Sequence, residues 1–302
     1  MSQTNPDDFG NARAPFSVLR DIPVVSSLAA GRFSTESLRP VGPPLAGDTS
    51  MHRIFLVLFS PAAQFAQFVL LGRALLFTTV ELAMPARDVS YRSVALMDLL
   101  AWAGMSYLMV PIVSYLAHFF PGHHPYPASV MALPFAVRIF VGYVLWDFGF
   151  YWMHRMMHTR YFWAAHKWHH SPTYMYWLAG ARASLAQQIL FNIPTALVIP
   201  LFMNGSPRWV GLAVGLFGAL FNDWMHMNVT WRSRWLELLI VTPRYHHIHH
   251  SDDPRYSGKN MGAVSTIWDR VFGTYLDPDT VQSELSFGIG EKKNPIRVML
   301  GV

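Results

Sequence analysis

The sequence predicts an all-α integral membrane protein: about four transmembrane helices in two hairpins, with a helical cap on the cytoplasmic side. Three observations carry this. The chain of 302 residues is 52% hydrophobic and only 14% charged, where soluble domains carry roughly a quarter charged residues. Several apolar runs reach the ~20 residues that a spanning helix needs. Lys and Arg gather at one end of the hairpins those runs define, the end that stays in the cytoplasm.

Taken in order, residues 1–52 read as a flexible polar N-terminal segment, rich in Ser, Pro, Gly and Asp. Its apolar piece IPVVSSLAA is too short and mixed to cross a bilayer and suggests at most one helix on the membrane surface. No basic stretch followed by a cleavage site marks a signal peptide. Residues 53–285 form the membrane-embedded domain and 286–302 a C-terminal tail. Within the domain the apolar runs are 54–84, 93–120, 129–153, 184–204 and 209–229. The last two are joined by the turn-like GSPR and make a hairpin. The runs 93–120 and 129–153 are joined by PGHHPYPA, which has no Lys or Arg and is expected outside the cytoplasm. Arg155, Arg160 and Lys167 follow the first hairpin, and Arg232, Arg234 and Arg244 the second, so both open towards the cytoplasm; Arg208 runs against the trend. The run 54–84 keeps two alternatives. One crossing would strand Arg13, Arg20, Arg32, Arg39 and Arg53 on the wrong side, and two crossings need more residues, so it lies in the interface or re-enters.

Composition also excludes. There is no cysteine, hence no disulfide, thiolate nucleophile or Cys-ligated zinc or iron–sulfur site. The net charge of +5 reflects cytoplasmic Lys and Arg, and no helix-turn-helix, zinc-finger or RNA-binding signature makes nucleic acid a partner. Nothing in the residues sets an oligomeric state.

The chain holds 14 histidines, and their spacing repeats. YWMHRMMH gives His154 and His158, AAHKWHHS gives His166, His169 and His170, and RYHHIHHS gives His246, His249 and His250. FNDWMHMN adds His226. On a helix, residues three and four apart share a face, so each cluster aims several imidazoles at one point. Neutral imidazole is the commonest protein metal ligand. Nine ligands exceed the roughly four that one zinc takes, so two metals fit, each with a position left open. Histidine is a poor helix former and polar groups near a membrane are costly; packing gives no reason for two identical H-x-x-H-H triads. All nine fall at the cytoplasmic ends of the runs. His52, His118, His123 and His124 are expected not to be ligands. His247, rotated ~100° from His246 on a helix, is expected to point away, towards solvent or a neighbouring hydrogen bond.

HRMMH, HKWHH and HHIHH, in that order with His226 between the last two, resemble the histidine boxes of the fatty acid hydroxylase and sterol desaturase superfamily. DFGFYWMHR and TPRYHHIHHSDDPRYSGKNMGAVSTIWDRVFGTY are similar to its bacterial and lipid-hydroxylase branches, and the likeness covers about residues 90–280. The resemblance implies two iron ions held by the nine histidines and O₂ as co-substrate. It also implies electrons from a separate ferredoxin or cytochrome b5-like donor. The reaction it implies is hydroxylation or desaturation of an unactivated C–H bond of a lipid: a fatty acyl lipid, a sterol or an isoprenoid. It further implies a water-mediated metal contact from Asn222, four residues before His226, where some hydroxylases carry histidine.

The residues alone leave the metal open, since imidazole suits iron, zinc and copper. No Glu accompanies the boxes, which sets the site apart from Glu-x-x-His di-iron bundles. A zinc-dependent membrane hydrolase would want H-E-x-x-H, and a metal transporter would place ligands near the bilayer midplane; a non-enzymatic metal- or haem-binding protein is the remaining alternative. Ligating histidines usually donate their outer N–H to a carboxylate or carbonyl, which makes Asp147, Asp223, Asp252 and Asp269 candidates; for Asp147 the alternative is a bond that pins two helices. Tyr174, Tyr176 and Trp177 either line a substrate path or form an interfacial belt. Arg155, Arg160, Lys167, Arg244 and Lys259 could dock an acidic electron carrier, although topology and lipid headgroups explain them more simply.

Overall fold

The computed structural model describes residues 61–109, 126–203, 209–281, 283–290 and 294–300. The expectations for residues 1–52, for His118, His123 and His124, for most of PGHHPYPA and for GSPR lie outside these. By contacts the chain divides into two compact units, Met1–Gln67 and Phe68–Val302. Of the first unit only residues 61–67 are described.

Five long helices follow the apolar runs: α1 (Pro61–Ala83), α2 (Tyr91–Gly104, continued by a π turn, Met105–Met109), α3 (Phe135–Met157), α4 (Leu185–Met203) and α5 (Trp209–His226). The run at 129–153 begins its helix late because Pro134, which lacks an N–H, stands at the N-cap of α3 behind a separate turn at Ala128–Met131. A sixth helix, α6 (Pro243–His250), lies in the cap with several single turns. Among the described residues there is no strand, only isolated bridges such as Ser251 with Phe287. The fold is all-α as expected. Among the same residues no helix is long and apolar enough to cross a membrane.

Helix α3 packs along α4. The Phe150 and Phe191 rings stack at 3.9 Å, and a Cβ on Gly149 would stand 2.7 Å from Pro194 Cβ, so the helices meet through the glycine. A second core joins α1, α2 and α5 through Phe77, Val94, Tyr176, Trp177, Met227 and Val229. Tyr176 and Trp177 are thus core residues and not an interfacial belt. Tyr176 donates to Asp98 at 2.6 Å, and Asp98 pairs with Arg182. Glu81 accepts from the backbone N–H groups of Trp177 (2.8 Å) and Asn228 (2.7 Å). Polar residues inside the apolar runs therefore fix the loops that follow them.

The described part of the tail packs on the cap. Asp252 and Ser286 exchange two hydrogen bonds, at 2.5 and 3.0 Å, and Val298 packs with Ala101 and Trp168.

Candidate metal centre

Helix α6 is the element whose sequence states its fold most clearly. Thr242 caps it by accepting from Tyr245 N, Pro243 occupies the first turn, and all of Tyr245–His250 is buried. It brings its histidines against those that end α3 and α5. The nine candidate ligands come together as two groups: His154, His158, His166, His170 and His249, and His169, His226, His246 and His250. Within each group one nitrogen per residue lies within 4.8 Å of the others, and neither contains a carboxylate. The groups adjoin, with the His170 and His250 rings stacked at 4.3 Å.

Neither triad serves a single group. His249 joins the first group while His246 and His250 join the second; His169 joins the second while His166 and His170 join the first. On a helix positions i+3 and i+4 diverge by ~100°, so one H-x-x-H-H turn straddles two centres. The middle triad does this from a short turn, Trp163–His166, whose His166 carbonyl accepts from the N–H groups of His169 and His170 at 2.9 and 3.4 Å.

The donor set fits metal ions. His154 Nε2 is 3.0 Å from His166 Nε2, and His246 Nε2 lies 3.3 Å from His226 Nε2 and 3.0 Å from His250 Nε2. Two nitrogens bound to one ion at about 2.1 Å stand about 3.0–3.4 Å apart. The Nε2 atoms of His158, His170 and His249 are buried without a hydrogen-bond partner, as are Nδ1 of His246 and His250. Orphaned buried nitrogens cost free energy unless something binds them. Burial holds the imidazoles neutral, with His154 at about 3, His169 at about 4, and His158, His166, His170, His246, His249 and His250 well below the usual range. Neutral imidazole is the ligating form.

Outer hydrogen bonds orient these rings. Nδ1–H of His154 donates to the Met261 carbonyl (2.7 Å), that of His169 to Arg182 (3.0 Å), that of His249 to Lys259 (3.0 Å) and that of His226 to Asn222 (2.6 Å). His166 instead uses the Gln187 side-chain oxygen at 3.0 Å. One turn supplies two of these carbonyls. Asn260 there has φ 53°, a left-handed conformation Asn tolerates, and its side chain bonds to Tyr245 and Leu276.

The four aspartates are corrected accordingly: among the described residues none hydrogen-bonds an imidazole, and for five of the nine rings carbonyls and Gln187 take that place. They act one step back. Asp269 accepts from Met261 N and Gly262 N at 2.7 Å each and from Tyr245 OH at 2.9 Å, holding the Met261 carbonyl under His154. Asp147 accepts from Trp268 Nε1 at 2.9 Å and from the N–H groups of Val264 and Ser265, pinning α3 to the cap. Asp223 forms a two-point ion pair with Arg73 at 2.5 and 2.6 Å, and Asp252 binds Ser286. Asn222 supports His226 through its carbonyl and lines the cavity that reaches the histidines. His247 points away from both groups, as expected, yet is buried: Arg87 donates to its Nδ1 at 3.0 Å, and its Nε2–H donates to the His226 carbonyl at 3.2 Å. Gln187 was missed. Its signal is a polar residue at the start of an otherwise apolar run.

A cavity of about 470 Å³ reaches the histidines between α2, α3, α4 and α5. Its walls include Trp102, Trp146, Phe150, Phe191 and Phe221, and it meets His154, His166, His169, His226 and His246.

Fold and site together define a helical protein built on an all-histidine cage with room for two metal ions, open to a largely apolar cavity whose walls include five Trp and Phe residues. Residues 139–274, which hold all nine histidines, match the fatty acid hydroxylase family model. Over that stretch the chain is similar to the fatty acid hydroxylase superfamily. It is 35% identical over 149 residues to alkylglycerol monooxygenase of Danio rerio (48% of this chain, 32% of that one) and 37% identical over 134 residues to the Homo sapiens protein of that name (43% and 28%). It is 32% identical over 169 residues to the ornithine lipid hydroxylase OlsE of Rhizobium tropici (56% and 48%). The matched stretch therefore spans half or less of each relative. No solved structure matches the chain.

Proposed function

We propose that this chain is a membrane-bound lipid hydroxylase whose nine histidines hold two iron ions. The observation that carries the reading is the all-histidine cage, split five and four, at the foot of a largely apolar cavity. Two irons held there would supply O₂ activation, with electrons delivered by a separate ferredoxin or cytochrome b5-like carrier. Hydroxylation of R–H consumes O₂, two electrons and two protons and yields R–OH and water.

The protein's own residues give this chemistry its setting. The outer hydrogen bonds of His154, His169, His226 and His249 fix each ring so that Nε2 faces inward. Trp146, Phe150, Phe191 and Phe221 offer an alkyl chain a dry wall and keep water from the reacting carbon. The names of the relatives favour hydroxylation over desaturation, and a glycerol- or amino-acid-based lipid over a sterol or isoprenoid. Leu71, Leu75, Leu96, Phe140, Leu197 and Phe217 on the long helices are exposed, an apolar exterior suited to a bilayer, with the cage on the cytoplasmic side by the Lys/Arg asymmetry.

The test is metal analysis of purified protein joined to lipid turnover with isotopically labelled O₂. The reading expects two irons per chain and a lipid hydroxyl that carries the label. Turnover without O₂, or full activity with zinc alone, would exclude it.

A further inference from the structure

The histidine cage divides two chambers of different character. The aromatic one meets His154, His166, His169, His226 and His246; a second, of about 420 Å³, meets His158, His170 and His249, and no histidine lines both. All three in the second chamber belong to the five-histidine group, and none to the four-histidine group. The other walls of this chamber include Ser251, Asp252, Asp253 and Ser257. Its polar character reaches inward: Nε2 of His158, His170 and His249 is buried without a partner, and His158 is the one partly exposed residue among the nine ligands.

We propose that this second chamber is the port through which a hydrated divalent cation reaches the cage, filling the five-histidine group first and the four-histidine group only through it. The proposal rests on the metal-binding reading above. A dication shedding water through the aromatic chamber would meet a large desolvation cost with no compensating charge. In the second chamber Asp252, exposed, and Asp253, partly exposed, supply carboxylates on the way; Arg255 pairs with Asp253 at 2.5 Å and opposes them. His158, the partly exposed ligand, is the one nearest the outside. Handover to the second group needs only the step between the stacked rings of His170 and His250.

The experiment follows uptake of Co²⁺ by metal-free full-length protein in detergent, reading the visible absorption of the bound ion in time and the final metal content. Ser257→Trp fills the polar chamber from an exposed position. It is expected to slow uptake at least about tenfold and leave the final stoichiometry unchanged. The double variant Asp252→Asn/Asp253→Asn removes the attracting charge; it should slow uptake about tenfold at low ionic strength and much less at high salt. That variant carries the test if Ser257→Trp fails to fold. Gly218→Leu fills the aromatic chamber instead, where nothing lies within 4 Å of an added Cβ, and should leave the rate unchanged. Wild-type uptake rates in both port variants, or slowing by Gly218→Leu instead, would overturn the port while leaving the metal site standing. No uptake by the unaltered protein would overturn both.

Discussion

Gly180 lies in the single turn Trp177–Ala181, against the base of His226. A Cβ added there would stand 2.5 Å from His226 Nδ1, 2.6 Å from Asn222 Nδ2 and 2.7 Å from His226 Cε1, against 3.4 Å or more for ordinary contact. The shortfall at Nδ1 is thus about 0.9 Å (3.4 less 2.5). His226 has no free direction in which to yield. Its Nδ1 donates to the Asn222 carbonyl at 2.6 Å, and its Nε2 stands 3.3 Å from His246 Nε2. Replacing glycine by alanine gains about 0.4–1 kcal/mol by restricting the unfolded chain, while overpacking of this kind costs about 1–3 kcal/mol. The clash wins. Gly180→Ala should lower the stability of the metal-free protein by roughly 1–2 kcal/mol in denaturant unfolding. Displacing the support of one ligand should also weaken metal binding at the four-histidine group by about 10–100-fold and spare the five-histidine group. Gly149→Ala is the comparison: its Cβ meets Pro194 at 2.7 Å and no histidine, so it should lose stability and keep both metals. A Gly180→Ala protein with unchanged stability that binds two ions as tightly as the unaltered one would refute the reasoning.

Two further outcomes follow from the placement of the side chains. His249→Ala should empty the five-histidine group and His250→Ala the four-histidine group, each abolishing turnover. His247→Ala should keep both metals in metal analysis yet melt earlier, losing about 1–3 kcal/mol because Arg87 and the His226 carbonyl lose their partner. In this cysteine-free chain, cysteines introduced at Ala128 and Ser251 should react with an impermeant reagent from opposite faces of a vesicle; reaction from the same face would break the two-hairpin topology.

The helices and the nine histidines were legible because both depend on local spacing. Apolar runs become helices wherever proline allows, and the delay at Pro134 is itself a local effect. Histidines three and four apart converge because a helix turns once in 3.6 residues. The division of the ligands was not legible. Whether His249 turns to one centre and His250 to the other depends on what stands opposite each ring, and His154 and His226 arrive from helices far away in sequence. The aspartates mislead for the same reason: an acid near a histidine in sequence suggests a carboxylate partner, but the chain answers with carbonyls at residues 182, 222, 259 and 261, and carbonyls leave no mark in a sequence. Asn260, which bends the chain so that two of them face inward, is as silent until its φ is known.

That reliance on carbonyls decides which changes the centre will tolerate in evolution. Every residue type presents the same oxygen, so the support itself does not read the side chain: Lys259 can drift without turning the ring of His249, while Arg182 is held by its pair with Asp98 and Met261 by its burial. A one-residue insertion or deletion between 259 and 261 is another matter, since it would carry the oxygens at Lys259 and Met261 out of reach of His249 and His154 together. Variation among homologous chains should therefore be strict in length across this loop and free in letters at Lys259, with Asn260 held by its φ and Met261 by its burial. A deep mutational scan of the segment would find substitutions mild at Lys259, costly at Asn260 and Met261, and single-residue indels lethal throughout.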